Sequence, residues 1–148
     1  MLKLGSTYLI VKNMHKSIDF YEKLLDMKVT SQNYTRWAQF NFHNSCIALW
    51  NPEYDKQLIK SGKSIEGIYS NNYIKYQEET KINYGNNVVL NFYIDDLEAE
   101  YQRLKVANIG KLTPIMYLNV AMPYYLFVIE DPDGNQIEIT GKYDKVII

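Results

Sequence analysis

The stretch 131-DPDGNQIEIT-140 decides the fold, because it is typical of a tight turn that leads directly into a strand. Pro132 fixes φ for the turn, and Gly134 supplies a left-handed position. Ile137 and Ile139 then recur at every second position, so they are predicted to face a core. The alternating polar residues are predicted to face the other side of the sheet: Gln136, Glu138 and Thr140.

The composition indicates a single soluble domain over residues 1–148 and excludes several classes of function. A net charge of −1 argues against nucleic acid or an anionic membrane as the main partner. The single cysteine excludes an internal disulfide. The apolar run at the N-terminus is too short for a signal peptide or a membrane span, and the two observations together predict a cytoplasmic protein. Fourteen tyrosines and two tryptophans indicate a site for flat or apolar molecules.

Two segments of the chain carry the same order of predicted elements. Residues 1–50 are predicted to form a strand, a helix capped by Asn13 and three further strands, and residues 87–148 repeat this order with Asp95 or Asp96 as the helix cap. Pairing Asn13 with Asp96 gives an offset of 83 (96 − 13). The pattern predicts two βαβββ copies, with a single α+β domain without a repeat as the alternative.

Residues 51–86 form a connector of mixed character between these two segments. The run EYDKQLIKSG predicts a short helix that ends at Gly62. A connector of this length is typical of a lid over a site or of a partly disordered segment.

Three segments resemble the vicinal oxygen chelate superfamily, which includes glyoxalase I, extradiol dioxygenases, fosfomycin-modifying enzymes and bleomycin resistance proteins. They are YLIVKNMHKSIDFYEKLLDMKV (8–29), LNFYIDDLEAEYQRL (90–104) and FVIEDPDGNQIEI (127–139). The resemblance implies an α+β fold in which two βαβββ modules form a curled mixed sheet around a concave cavity. It also implies a homodimer.

In the enzymes of this family, four side chains on cavity-facing strands bind a divalent metal, typically His, Glu or another ligand, His and Glu. The corresponding positions here are Ser6, Ala48, Val89 and Glu138. Only the last keeps a ligand type, and a shift by one residue would turn each side chain to the other face. His15 and His43 fall in a first helical turn and a β-turn, where a solvated histidine is ordinary. We therefore expect no metal and no other cofactor.

Strand alternation extends the predicted lining of the cavity. The predicted ligand-binding residues are Ser6, Tyr8, Ala48, Trp50, Val89, Asn91, Tyr93, Gln136 and Glu138. Packing at a sheet or dimer interface is the alternative explanation for the three aromatic residues among them. The sequence leaves open the facing of four further candidates: Arg36, Trp37, Tyr124 and Tyr125.

The leading hypothesis is a metal-independent small-molecule-binding protein, similar to the bleomycin resistance branch, that holds a planar or cationic ligand in an aromatic-lined cavity. The antibiotic resistance of that branch is the biological role that the resemblance implies. One alternative is a metal-dependent lyase, isomerase or dioxygenase of the glyoxalase type. Another is a metal-free enzyme with Glu138 as general base, and a third is a purely structural role for Glu138. A binding protein is favoured because no second catalytic group is evident.

Overall fold

The computed structural model describes residues 1, 3, 5–62, 68–85, 88–119 and 123–145. The chain divides into two compact units: Met1–Ile18 with Met27–Tyr84, and Asp19–Asp26 with Gly85–Ile148. Each unit contains one four-stranded mixed sheet. The predicted α+β class is confirmed, and the two sheets are consistent with two βαβββ modules.

The first unit contains the strands β1 (Thr7–Ile10), β2 (Ser31–Asn33), β3 (Trp37–Phe42) and β4 (Ser45–Trp50). Their order in the sheet is β1-β4-β3-β2, with β1 parallel to β4 and the other neighbours antiparallel. His43, with a φ of +49°, lies in the two-residue turn between β3 and β4. A left-handed residue at this place matches the twist of a tight hairpin.

The second unit contains the strands β5 (Leu90–Ile94), β6 (Met116–Asn119), β7 (Pro123–Glu130) and β8 (Gln136–Gly141). Their order is β5-β8-β7-β6, and again the first strand is parallel to the last. Gly134 adopts a φ of +84° in the turn before β8, as the sequence predicts. Ile137 and Ile139 are buried, at 0% and 3% exposure, on the predicted core side of β8.

The helices among the described residues are α1 (Met14–Leu25), α2 (Pro52–Ser61), α3 (Asn71–Glu79) and α4 (Leu97–Ala107). Asn13 caps α1 by accepting from the Lys16 amide, and Asp96 caps α4 by accepting from the Ala99 amide. Gly62 ends α2 in the left-handed conformation, as predicted, whereas α3 was not predicted. None of these helices combines the length and apolar character needed to cross a membrane.

The apolar face of the first sheet forms the core of its unit, with Ala38, Phe40, Leu49 and Ile47 each at most 5% exposed. Because side chains alternate along each strand, the residues between them point to the opposite face. That opposite face carries the aromatic residues Tyr8, Trp37 and Trp50.

A buried polar cluster organises the second unit around the 131–140 stretch. The Asp131 carboxylate accepts from the Tyr21 hydroxyl at 2.8 Å, from the Asn135 side chain at 2.8 Å and from the backbone amides of Asp133 and Asn135. Burial, and then the Asp131 charge, raise the pKa of Tyr21 far above its ordinary value. The turn is therefore fixed to the second half of α1 by a neutral hydroxyl that donates to a carboxylate.

Candidate functional site

The strand registers place several predicted site residues side by side. In the first sheet the neighbours across the parallel pair are Tyr8 with Ala48 and Ile10 with Trp50. In the second sheet they are Asn91 with Glu138 and Tyr93 with Thr140. Each set therefore lies on one face of its own sheet.

The second unit has a pocket of about 680 Å³, which we call the Glu138 pocket. It opens on the face of β5 and β8 that carries the polar residues, and the end of β8 at Gly141 and residues 142–144 after it also line it. Its principal side chains are Asn91, Tyr93, Tyr124, Tyr125, Glu138, Thr140 and Tyr143. Lys142 and Asp144 add one charge of each sign.

Glu138 lies in the middle of β8 and is half-buried. The Asn91 side-chain amide donates to Glu138 Oε1 at 2.8 Å, and at 3.5 Å to the hydroxyl of Thr140. Within the described part of the chain, Glu138 Oε2 has no hydrogen-bond partner. One oxygen of the carboxylate is thus fixed by its neighbour, and the other is available to a ligand.

Four tyrosines line the same pocket as this carboxylate: Tyr93, Tyr124, Tyr125 and Tyr143. Tyr125 contacts Tyr117 and Tyr143 with centroid separations of 5.0 and 5.1 Å, and both pairs are tilted by 46°. Tyr93 is 63% exposed and Tyr124 is 37% exposed. Tyrosines with this much free surface on a pocket wall are better suited to contact a ligand than to fill a core.

The residues at the four positions that correspond to the family's metal ligands do not fit a divalent cation. Ala48 is fully buried and has no donor atom, and Val89 is an exposed apolar side chain. Among the described residues, Glu138 is hydrogen-bonded by the Asn91 amide nitrogen, which offers a proton rather than a lone pair. No group of three or more His, Cys, Asp and Glu side chains that could hold an ion occurs among the residues the structure describes.

The first unit has its own pocket of about 380 Å³, which we call the Trp50 pocket. Its walls are the aromatic face of the first sheet and one side of α3, with the lining residues Tyr8, Arg36, Trp37, Trp50, Tyr73, Tyr76 and Gln77. Tyr8 meets the two tryptophans edge-on, at centroid distances of 5.2 Å to Trp37 and 6.2 Å to Trp50. These edge-to-face contacts give the sheet side of the pocket a fixed shape.

A buried carboxylate, Asp55 of α2, holds the helical side of this pocket. Its oxygens accept from Arg36 Nε at 2.7 Å, from the Tyr69 hydroxyl at 2.6 Å and from the Tyr73 hydroxyl at 2.8 Å. Gln77 donates in turn to the Tyr73 hydroxyl at 3.0 Å. Burial raises the pKa of Asp55, but the hydrogen bonds from Arg36, Tyr69 and Tyr73 outweigh it, and the pKa is lowered overall.

Five of the predicted site residues line pockets of the two units, two in the first unit and three in the second. Tyr8 and Trp50 line the Trp50 pocket, and Asn91, Tyr93 and Glu138 line the Glu138 pocket. The remaining predicted residues are described but line neither of the two: Ser6, Ala48, Val89 and Gln136.

Sequence reasoning missed the helical wall of the Trp50 pocket. Tyr69, Tyr73 and Tyr76 follow one another at spacings of four and three residues, which would place them on one face of a helix. That spacing, together with a single aspartate in the preceding predicted helix, is the signal that could have identified α3 and its contacts.

Comparison with solved structures gives the same fold over nearly the whole chain. A lactoylglutathione lyase from Agrobacterium tumefaciens is 16% identical with a TM-score of 0.63, and the match covers 94% of this chain and 92% of that one. A glyoxalase-related enzyme from Fulvimarina pelagi is 14% identical with a TM-score of 0.66, covering 96% and 89%. A glyoxalase/bleomycin resistance protein/dioxygenase from Nocardioides is 15% identical with a TM-score of 0.63, covering 99% and 88%.

These identities are low enough that the similarity concerns the fold and not the activity. No curated protein matches the chain in sequence. A family model described as Glyoxalase/Bleomycin resistance protein/Dioxygenase superfamily matches residues 3–139, which confirms the resemblance seen in the sequence. The chain therefore belongs to the glyoxalase/bleomycin resistance protein/dioxygenase superfamily.

Proposed function

We propose that the chain is a metal-independent binding protein that holds a planar organic cation in the Glu138 pocket. The observation that supports this proposal is that one half-buried carboxylate shares its pocket with four tyrosines: Tyr93, Tyr124, Tyr125 and Tyr143. A carboxylate attracts the charge of such a ligand, and the negative faces of the tyrosine rings attract both its charge and its flat surface.

The size and the charge of the pocket agree with this class of ligand. A volume of about 680 Å³ lies within the range of small-molecule sites. Among the described residues of the wall the charged side chains are Glu138, Lys142 and Asp144, so acidic groups outnumber basic ones there. A cation is therefore favoured over an anion of the same shape.

The same geometry favours binding over catalysis. Asn91 donates to Glu138 at 2.8 Å and so occupies one of the two carboxylate oxygens. No histidine or cysteine lies among the described residues of the wall, so the side chains that most often serve as general base or as activated nucleophile are missing from them. A metal-free enzyme with Glu138 as base would lose turnover and keep binding in Glu138→Gln, whereas a binding protein loses affinity.

A matched pair of probes tests the proposal. N-methylacridinium carries a fixed positive charge, and acridine at pH 8 is a neutral ring of nearly the same shape. We expect calorimetric titration to give tighter binding of the cation, and Glu138→Gln to weaken it by roughly 5–30-fold, because a partly desolvated charge contact contributes about 1–2 kcal/mol. Glu130→Gln is the control, since Glu130 is an exposed glutamate of β7 outside the pocket lining.

Equal affinities for the two probes, or equal effects of the two substitutions, would contradict the proposal.

Three other features stay predictions: a homodimer, a cytoplasmic location, and the division into modules 1–50 and 87–148 with the connector 51–86 as a lid. Sedimentation equilibrium would test the first of them directly.

A further inference from the structure

We propose that the Trp50 pocket is a second binding site, which takes a small planar carboxylate whose acid group pairs with Arg36. This inference goes beyond the proposed function, because it concerns the first unit and a ligand of the opposite charge. It depends on the placement of Arg36 and its counter-ion, on the aromatic walls and on an unpaired indole N–H.

The charge that this pocket presents is positive, although the ion pair behind it is neutral. Arg36 lines the pocket and its side chain is 32% exposed, whereas the Asp55 side chain is 0% exposed and does not line the pocket. A guanidinium has five N–H donors, more than its contacts with Asp55 and Tyr73 can occupy. Arg36 can therefore keep its internal ion pair and still donate to a ligand carboxylate.

The walls of the pocket are suited to a flat ring. Tyr8, Trp37 and Trp50 form one side, and Tyr73 and Tyr76 of α3 form the other. The volume of about 380 Å³ lies near the lower end of the range for ligand sites, which favours a ligand of one or two rings.

The indole N–H of Trp50 is a second donor in the same wall. Trp50 Nε1 is buried and, within the described part of the chain, has no hydrogen-bond partner. Buried donors are nearly always paired in native proteins, and this one belongs to a residue that lines the pocket. A ligand oxygen, reached directly or through a bridging water, would supply the acceptor that it lacks.

The helical wall is fixed before any ligand arrives. Asp55 accepts from the Tyr73 hydroxyl, and Gln77, which is 2% exposed, donates to the same hydroxyl from the next turn of α3. Because the Tyr73 ring is already held in the folded protein, it loses little conformational entropy when a ligand binds.

The two tryptophans of the chain, Trp37 and Trp50, both line this pocket. Excitation at a wavelength that tryptophan absorbs and tyrosine does not therefore reports this site. The Glu138 pocket contains tyrosines and no tryptophan among its lining residues. The two proposals can thus fail independently of one another.

The experiment is a tryptophan-fluorescence titration with benzoate and with benzamide, its neutral isostere. We expect a saturable change in tryptophan fluorescence with benzoate. The affinity for benzamide should be at least about tenfold lower, because benzamide cannot form the charge-assisted, bidentate contact of a carboxylate with Arg36. Tyr76→Ala should weaken benzoate binding roughly fivefold, since it removes an aromatic wall whose loss typically costs about 1 kcal/mol. Tyr34→Ala is the control, because Tyr34 is 75% exposed and does not line the pocket.

Arg36→Lys tests the role of the guanidinium, because lysine keeps the charge and loses the planar fork. We expect it to reduce the preference for benzoate over benzamide, with the near-ultraviolet dichroism of the tryptophans showing that the variant is folded. If that variant does not fold, Tyr76→Ala and the benzamide comparison decide the question. Equal affinity for the two probes, no saturable change, or equal effects of Tyr76→Ala and Tyr34→Ala would each overturn the proposal.

Discussion

Replacing Asp55 with asparagine should be among the conservative substitutions that most reduce the stability of the first unit. Asp55 accepts three hydrogen bonds of 2.6–2.8 Å while its side chain is 0% exposed. Removing one partner of a buried ion pair costs about 3–5 kcal/mol in unfolding free energy. Asparagine keeps one acceptor oxygen, and Arg36 keeps contact with solvent, so we expect a loss of about 2–3 kcal/mol.

Urea denaturation followed by tryptophan fluorescence measures this loss, because both tryptophans lie in the same unit as Asp55. With a slope of about 1–3 kcal/mol per M urea, the midpoint should fall by roughly 0.7–3 M. Glu53→Gln is the matched control, since it removes a carboxylate from the first turn of the same helix, where Glu53 is half-exposed. A loss below about 0.5 kcal/mol, the usual range for surface changes, would refute the reasoning.

The effect of Asp55→Asn should depend on pH in a defined direction. The pKa of Asp55 in the folded protein is lowered from its ordinary value of 3.8. Stabilisation by the ionised carboxylate is therefore fully present above the unfolded-state pKa and is lost as the pH falls through the folded-state pKa. We expect the difference between the original protein and the variant to be constant above about pH 5 and to shrink below about pH 4. A difference that grows on acidification would contradict this assignment.

Two further predictions concern the second unit and the metal positions. Tyr21→Phe removes the hydroxyl that donates to Asp131 at 2.8 Å and should lower the unfolding free energy by about 1–2 kcal/mol. Tyr101→Phe is the control: the Tyr101 ring packs on Phe127, and loss of its hydroxyl should change the unfolding free energy by less than about 0.5 kcal/mol. Similar losses in both would argue against a role for the hydrogen bond. Equilibrium dialysis against nickel, zinc, manganese and ferrous ions should show no stoichiometric binding, because Ala48 and Val89 offer no donor atoms. One tightly held equivalent per chain would mean that the ligand positions are wrongly assigned.

Strand facing and helix caps were predictable from the sequence because both depend on near neighbours. The two-residue period of β8 placed Ile137 and Ile139 on the buried side, and the alternation in β5 placed Asn91 and Tyr93 on one face. The pairing of Asn91 with Glu138 depends on the strand register, which the structure gives. Asn13 and Asp96 cap their helices through hydrogen bonds that reach only three residues along the chain. Such contacts can be predicted from the local sequence, because both partners lie within a few residues of each other.

The Trp50 pocket was not predictable in the same way, because its helical wall depends on contacts across the connector. Asp55 binds Arg36 from 19 residues before it and Tyr69 and Tyr73 from 14 and 18 residues after it. No hydrophobic period joins these positions, and α3 is a polar helix that buries only Gln77. Its position follows from a buried carboxylate, whose partners become evident only when the chain has folded.

The parallel pairing of the first and last strand in each unit also constrains how the chain folds during synthesis. Thr7 pairs with Ile47, so β1 has no partner until a further 40 residues (47 − 7) have been made. The corresponding distance in the second unit, from Leu90 to Ile137, is 47 residues (137 − 90). The hairpin of β3 and β4 needs only the two-residue turn at His43. Because a long loop is entropically more costly to close than a short one, each sheet should grow outward from its hairpin and add its first-made strand last.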